Sequence, residues 1–173
     1  VPFPIDDPER IPVKRYFDPE FYQMELEHLW PHVWQQACRL EQIAEPGDWI
    51  EYSNVGQSVL IVRTNDGVKA FHNACRHRGV PIAGGMTVDG SHATAHGNCV
   101  RTGFVCPFHG WRWNMDGENT LVYGKHLFSE RQLDGDDINL VPCRVETFGG
   151  CAWINFDDDA PTLRESLGPI CER

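Results

Sequence analysis

Two short segments hold the side chains best suited to chemistry: Cys75-Arg76-His77-Arg78-Gly79 and Cys106-Pro107-Phe108-His109-Gly110-Trp111. Each offers one thiol and one imidazole within two or three residues of each other, followed by a glycine at a turn. Cysteine and histidine are the soft and borderline ligands that suit iron or zinc. A mononuclear zinc ion would take all four in one tetrahedron. The usual zinc spelling, however, pairs Cys with Cys and His with His, whereas here each segment mixes the two. A binuclear iron–sulfur cluster accounts for the mixing, because each segment can give a thiolate to one iron and an imidazole to the other. Neutral imidazoles carry less negative charge than thiolates, so such a cluster is easier to reduce than an all-cysteine one.

Other pairs are weaker candidates. His28 and His32 are four apart, but Pro31 interrupts their register. His92 and His96 are also four apart, with Asp89 nearby, in a segment too rich in glycine to hold an open-coordinate metal rigidly. The seven cysteines form an odd set with no secretion signal, which is a poor disulfide framework and favours a reducing, cytoplasmic setting. Cys38, Cys143 and Cys151 read as buried small apolar residues. Cys99 lies in the glycine-rich segment; burial is the weightier reading, and an exposed, oxidisable thiol is the other. Arg76 and Arg78 can steer an acidic electron donor or pair with a local carboxylate. Trp111 and Trp113 can shield a metal centre or fill a core, and the two roles are compatible.

A scaffold must hold the two segments side by side, and the rest of the chain reads as mainly β. Asp48–Val55, Ser58–Thr64, Val68–His72, Phe104–Cys106, Trp111–Asn114, Thr120–Tyr123, Leu140–Phe148 and Cys151–Phe156 are the expected strands. Asn65-Asp66-Gly67 signals a hairpin. Short strands at close spacing point to a small antiparallel barrel or sandwich. Residues 79–103 contain six glycines and read as a long loop. A proline-rich arm precedes Asp18-Pro19-Glu20, a helix-start pattern, and Tyr22, Leu26, Leu29, Trp30 and Val33 predict an amphipathic helix over about 19–30. Thr162 and Glu165 predict a last helix from about 163. The expected organisation is thus an arm and helix (1–35), a metal-binding domain (36–160), and a helix or linker (161–173). Both ends read as cut, so the chain is expected to be a piece of something longer.

The 173 residues carry 15 Lys and Arg against 25 Asp and Glu, a net charge of −10. That balance argues against wrapping a nucleic-acid backbone. No apolar run approaches the roughly 20 residues of a membrane helix.

C-x-H followed by C-P-x-H-G-W resembles the Rieske family, and most closely the N-terminal domain of the large subunit of Rieske non-haem iron oxygenases, which include the ring-hydroxylating dioxygenases of aromatic hydrocarbon catabolism. The resemblance extends through Phe17-Asp18-Pro19-Glu20, Pro46-Gly47-Asp48 and His72-Asn73-Ala74-Cys75-Arg76-His77-Arg78-Gly79. It implies a [2Fe–2S] cluster in a cluster-binding tip, with Cys75 and Cys106 on one iron and His77 and His109 on the other. Arg76, Arg78, Gly79, Pro107, Phe108, Gly110 and Trp111 would surround them. Val80 and Phe108 stand where respiratory Rieske proteins carry a disulfide. Gly110 and Trp111 stand where hydroxyl donors raise the potential, so a low Rieske potential is expected. The 28 residues between His77 and Cys106 exceed the family's usual span.

The resemblance implies one-electron transfer. A ferredoxin or reductase would supply the electron, and the acceptor would be a mononuclear non-haem iron in a catalytic domain, commonly that of a neighbouring subunit in a trimer. Residues 157–173 contain no histidine, so that iron site is not expected in this chain, nor any catalytic residue. A stand-alone Rieske ferredoxin and a structural zinc module are the alternatives. The helix and arm within residues 1–35 speak against the first.

Overall fold

The computed structural model describes residues 9–10, 12–84 and 96–172. Among these residues, ten strands form two antiparallel sheets. The strands are β1 (Gln35–Arg39), β2 (Asp48–Asn54), β3 (Gln57–Thr64), β4 (Gly67–His72), β5 (His96–Asn98), β6 (Phe104–Val105), β7 (Arg112–Trp113), β8 (Asn119–Leu121), β9 (Pro142–Phe148) and β10 (Cys151–Asn155). The larger sheet runs β1-β10-β9-β4-β3-β2-β5 and the smaller β6-β7-β8.

The fold is built around β3. Its run Val59-Leu60-Ile61-Val62 is wholly buried, because both faces of the strand are covered and neither can be polar. Leu60 and Val62 face a core shared with Phe71, Ile82, Phe104, Trp111, Trp113, Leu140 and the thiols Cys75, Cys99 and Cys106. Val59 and Ile61 face a second core with Cys38, Ile43, Ala70, Cys143, Ala152 and Ile154. The alternation of side chains along one strand therefore separates a core under the candidate metal ligands from one that only supports the sheet.

The hairpin between β3 and β4 pairs Thr64 with Gly67 across Asn65-Asp66, as the turn residues require. Strands β2–β4 and β6–β10 match the sequence-derived segments to within a few residues. Two strands lie outside the expected segments: β1, which gives Cys38 its strand context, and β5, which lies inside the expected 79–103 loop and pairs Gly97 with Trp49 of β2. The remainder of that loop reading, including His92 and Asp89, lies largely outside the described residues.

The helix ends also follow the sequence. Helix α1 (Pro19–His28) starts at Asp18, whose Oδ1 accepts from Glu20 N–H at 3.1 Å. A short α2 (Gly135–Ile138) precedes β9. In α3 (Leu163–Leu167), Thr162 Oγ1 accepts from Glu165 N–H while Glu165 Oε2 accepts from Thr162 N–H. The amphipathic reading of the first helix needs correction. No residue of α1 is buried, and Tyr22 and Leu29 are exposed. The helix ends at 28, and a 3-10 turn over Trp30–His32 carries the chain around Pro31. No helix among the described residues is long and apolar enough to cross a membrane.

Trp113 is fully buried and its Nε1 donates to Ile138 O at 2.7 Å, joining the small sheet to α2. Trp113→Phe loses ring volume and leaves that carbonyl unpaired. In urea unfolding it should cost about 2–3 kcal/mol, against about 1 kcal/mol for Ile61→Val, which removes one methyl group.

Candidate metal centre

The two Cys/His loops have the same backbone. The first leaves β4 and turns at Cys75, where Gly79 N–H donates to Cys75 O at 2.8 Å and Cys75 N–H donates to Val80 O at 2.8 Å. The second joins β6 to β7, with Gly110 N–H to Cys106 O at 2.9 Å and Cys106 N–H to Trp111 O at 2.8 Å. Each loop thus closes on its own cysteine through residues four and five positions later. Each also needs a left-handed residue at the fourth position: Gly79 has φ +71° and Gly110 φ +72°. Both sites open into space, so it is the backbone conformation that calls for glycine. The loops differ in where histidine sits, two residues after Cys75 and three after Cys106.

This arrangement brings like together with like. Cys75 and Cys106 are both buried, in the same core. Burial is the main cause that pushes the Cys75 thiol up, and the neighbouring Cys106 adds to it, while the backbone amides of His77 and Arg78 oppose the rise. The rings of His77 and His109 lie 4.9 Å apart. Burial holds His77 below the ordinary histidine range, followed by the nearby His109 and Arg78.

The imidazoles differ in their surroundings. His77 stacks on buried Trp111, with ring centroids 5.1 Å apart and planes 6° apart, and meets the edge of Phe128 at 5.8 Å. His109 is exposed and packs against exposed Phe108 at 4.0 Å. Trp111 therefore both fills the core and shields the site. Phe128 escaped the sequence reading, since nothing in Leu127-Phe128-Ser129 signals a contact with a loop so distant along the chain. Arg76 Nε donates to the Asp137 carbonyl at 2.9 Å, so its partner is main chain rather than a carboxylate. Pro107 is exposed and Arg78 is exposed beside His77.

Among the described residues, no three His, Cys, Asp or Glu side chains gather about one point as a single ion would require. The donors instead form a thiol pair beside an imidazole pair, the arrangement for a group with two metal atoms. His77 Nδ1 is buried and finds no hydrogen-bond partner. A buried, unpaired imidazole nitrogen calls for an explanation, and a metal bond supplies one. The residues present therefore fit a [2Fe–2S] group.

The other candidates are not brought together. His28 ends α1, whereas His32 Nδ1 lies 2.9 Å from Asp157 Oδ2. His96 is exposed on β5. His72 is half-buried against Phe156, and burial holds it below its ordinary range.

The fold and paired donors define an iron–sulfur protein, and comparison with known proteins specifies which kind. The family model for the Rieske [2Fe-2S] domain matches residues 33–125. The chain belongs to that family, and its cofactor is a Rieske cluster. It is 28% identical over 158 residues to the carnitine monooxygenase oxygenase subunit of Escherichia coli K12, covering 91% of this chain and 39% of that protein. It is 36% identical over 154 residues to the large oxygenase component of the naphthalene 1,2-dioxygenase system of Pseudomonas aeruginosa, covering 87% of this chain and 32% of that protein. Among solved structures, naphthalene 1,2-dioxygenase from Rhodococcus superposes with a TM-score of 0.81 at 25% identity, over 96% of this chain and 36% of that one. The chain thus spans 32% to 39% of the length of the curated relatives named here.

The thiols outside the pair are sorted by burial. Cys99 is 3% exposed, which excludes the exposed-thiol reading, and burial pushes it up to about 11. Burial likewise puts Cys38 at about 11 and Cys143 at about 12. Cys151, expected to be buried, is only half-buried, at the first residue of β10. Alkylation of the native protein at pH 7.5, mapped by peptide mass spectrometry, should modify Cys151 and Cys171 and spare Cys38, Cys99 and Cys143 until urea unfolds the chain.

Proposed function

We propose that Cys75 and Cys106 bind one iron of the cluster and His77 and His109 the other. We further propose that the chain is the electron-accepting domain of a Rieske non-haem iron oxygenase. The observation that carries the ligand assignment is the pairing of buried thiols beside paired imidazoles, with His77 Nδ1 unpartnered. When bound, the cluster accepts and releases one electron at a time.

The chain's own residues give that exchange a direction. The thiol pair lies inward, in the core under the loops. The imidazole pair lies outward, with exposed His109 and Phe108 at the tip. Trp111 and Phe128 hold the His77 ring and keep water from one side of it. A redox partner then meets the domain at the exposed tip.

The oxygenase reading is supported by the identity of the relatives. In it, a ferredoxin or reductase supplies the electron, and a mononuclear iron in a catalytic domain accepts it, in a neighbouring subunit. One related structure, a quaternary ammonium Rieske monooxygenase at 25% identity and TM-score 0.78, is described as giving insights into inter-subunit electron transfer. Residues 36–160 would be the cluster domain, residues 1–35 its leading arm, and residues 161–173 the approach to a catalytic domain. The substrate would be set by that domain.

The purified chain should be red-brown, contain about two irons and two sulfides, and give a Rieske-type EPR signal after dithionite. A colourless protein holding one zinc would overturn the reading. His109→Cys exchanges a neutral ligand for an anionic one. Where a cluster still assembles, its potential should fall by about 200 mV or more, toward the roughly −400 mV of plant-type all-cysteine clusters. An unchanged potential in protein-film voltammetry would contradict the role of His109.

A further inference from the structure

The first ligand loop is closed a second time, by a residue that is not a ligand. Asn73 is only 5% exposed. Its Oδ1 accepts from Ile82 N–H at 2.8 Å and from Ala83 N–H at 3.1 Å. Its Nδ2 donates to Ala83 O at 2.5 Å and to Ser58 Oγ at 3.0 Å, with Glu51 Oε1 at 3.4 Å. Its backbone N–H donates to Ser58 O at 3.0 Å. Ser58 Oγ in turn donates to Glu51 Oε1 at 2.6 Å. One carboxamide thus joins the two ends of a loop containing Cys75, His77 and Gly79, and anchors it to β2 and β3.

The orientation of that carboxamide is determined by its partners. Two backbone N–H groups face its oxygen, and a carbonyl and a carboxylate face its nitrogen beside the Ser58 hydroxyl, so an exchange of oxygen and nitrogen would put like against like at both amides, the carbonyl and the carboxylate. Glu51 also crowds the far end of the loop. A Cβ built at Gly84 (φ +65°) would lie 1.8 Å from Glu51 Oε2, so the carboxylate occupies the space that a side chain there would need. Ile82, whose amide Asn73 holds, packs in the same core as Cys75 and Cys106. Release of the Ile82 and Ala83 amides would free the return arm of the loop and loosen the wall beside both thiols.

We propose that Asn73 is a positioning residue for the centre, acting with Ser58 and Glu51 to fix the Cys75–Ala83 loop and so the placement of Cys75 and His77. The proposal rests on the assignment of those two residues as ligands. The second loop has no equivalent carboxamide clamp among the contacts described; its two arms continue directly into β6 and β7, whose pairing of Val105 with Arg112 already closes it. The first loop has no such hairpin beneath it, because β4 pairs with β3 and β9 rather than with the loop's return arm. Asn73 supplies the missing closure.

The test uses the cluster-loaded chain and the variants Asn73→Ala, Ser58→Ala, Asn73→Asp, Asn73→Asp/Glu51→Gln and Asn155→Ala. The last is a control: Asn155 is 1% exposed and accepts from Asp157 N–H at 2.9 Å, at the end of β10 in the second core's sheet. Four readouts are taken: hydrogen–deuterium exchange of peptides covering residues 79–84, the EPR spectrum of the reduced cluster, the rate of cluster bleaching by a chelator, and the urea unfolding midpoint.

In Asn73→Ala, exchange and bleaching should each speed up by about tenfold or more, with broadened EPR features, because two buried amides lose their acceptor. Ser58→Ala, which removes only the anchor, should change bleaching two- to fivefold in the same direction and carries the test if Asn73→Ala does not fold. Asn73→Asp keeps the acceptor but sets two carboxylates together; adding Glu51→Gln should recover at least half of the lost cluster lifetime. Asn155→Ala should lower the unfolding midpoint without altering the EPR spectrum or the bleaching rate. Wild-type EPR and bleaching in both Asn73→Ala and Ser58→Ala would overturn the positioning role and leave the ligands standing. A wild-type chain without two irons would overturn the ligand assignment, and this proposal with it.

Discussion

The candidate centre depends on a backbone constraint, the closure of each Cys/His loop on its own cysteine. Cys75 and Cys106 each accept an amide from a glycine four residues on and donate to a carbonyl five residues on. That closure directs each cysteine inward and each histidine toward the tip. It also explains why both loops carry glycine at the same position with nearly the same left-handed φ. The remaining structure brings the two closed loops face to face. Strand β3, buried on both sides, is the wall against which the first core packs, and the β6–β7 pairing carries the second loop over it.

Burial and exposure then divide the centre. The thiols sit among Leu60, Val62, Ile82, Phe104 and Trp113, where an anion not bound to metal would be costly, and burial accordingly raises the Cys75 thiol. The imidazoles sit at the rim, one clasped by Trp111 and Phe128 and the other beside exposed Phe108. The polarity of the site, sulfur inward and nitrogen outward, follows from the packing of the small sheet on β3. It places the exchangeable side of the centre where another protein can reach it.

The four donor side chains were legible in the sequence because their types and spacing are rare in combination. Most strands were legible too, since Val59-Leu60-Ile61-Val62 and Cys151–Phe156 are β-rich segments bounded by turn residues. What escaped depends on tertiary pairing. His96-Gly97-Asn98 has little strand character of its own and becomes β5 because β2 offers it an edge. The apolar spacing of Tyr22, Leu26 and Leu29 is genuine, yet α1 buries none of its residues, and Leu26 only lines a cavity beside Gln57, His72 and Phe156. The cover that Phe128 gives His77, and the reach of Asn73 to Ile82, are contacts that no local pattern encodes. Burial of Cys99 follows from its neighbours: its N–H donates to Gly47 O at 2.8 Å, which draws a glycine-rich segment back onto the core.

The self-closure of the loops also bears on how such a domain can vary over evolutionary time. Each Cys/His pair is held by bonds that begin and end within its own loop, Gly79 and Val80 closing on Cys75 and Gly110 and Trp111 closing on Cys106. Because each closure is local, it sets no fixed length for the chain that joins one loop to the other. The unusual distance between His77 and Cys106 is therefore compatible with an ordinary centre.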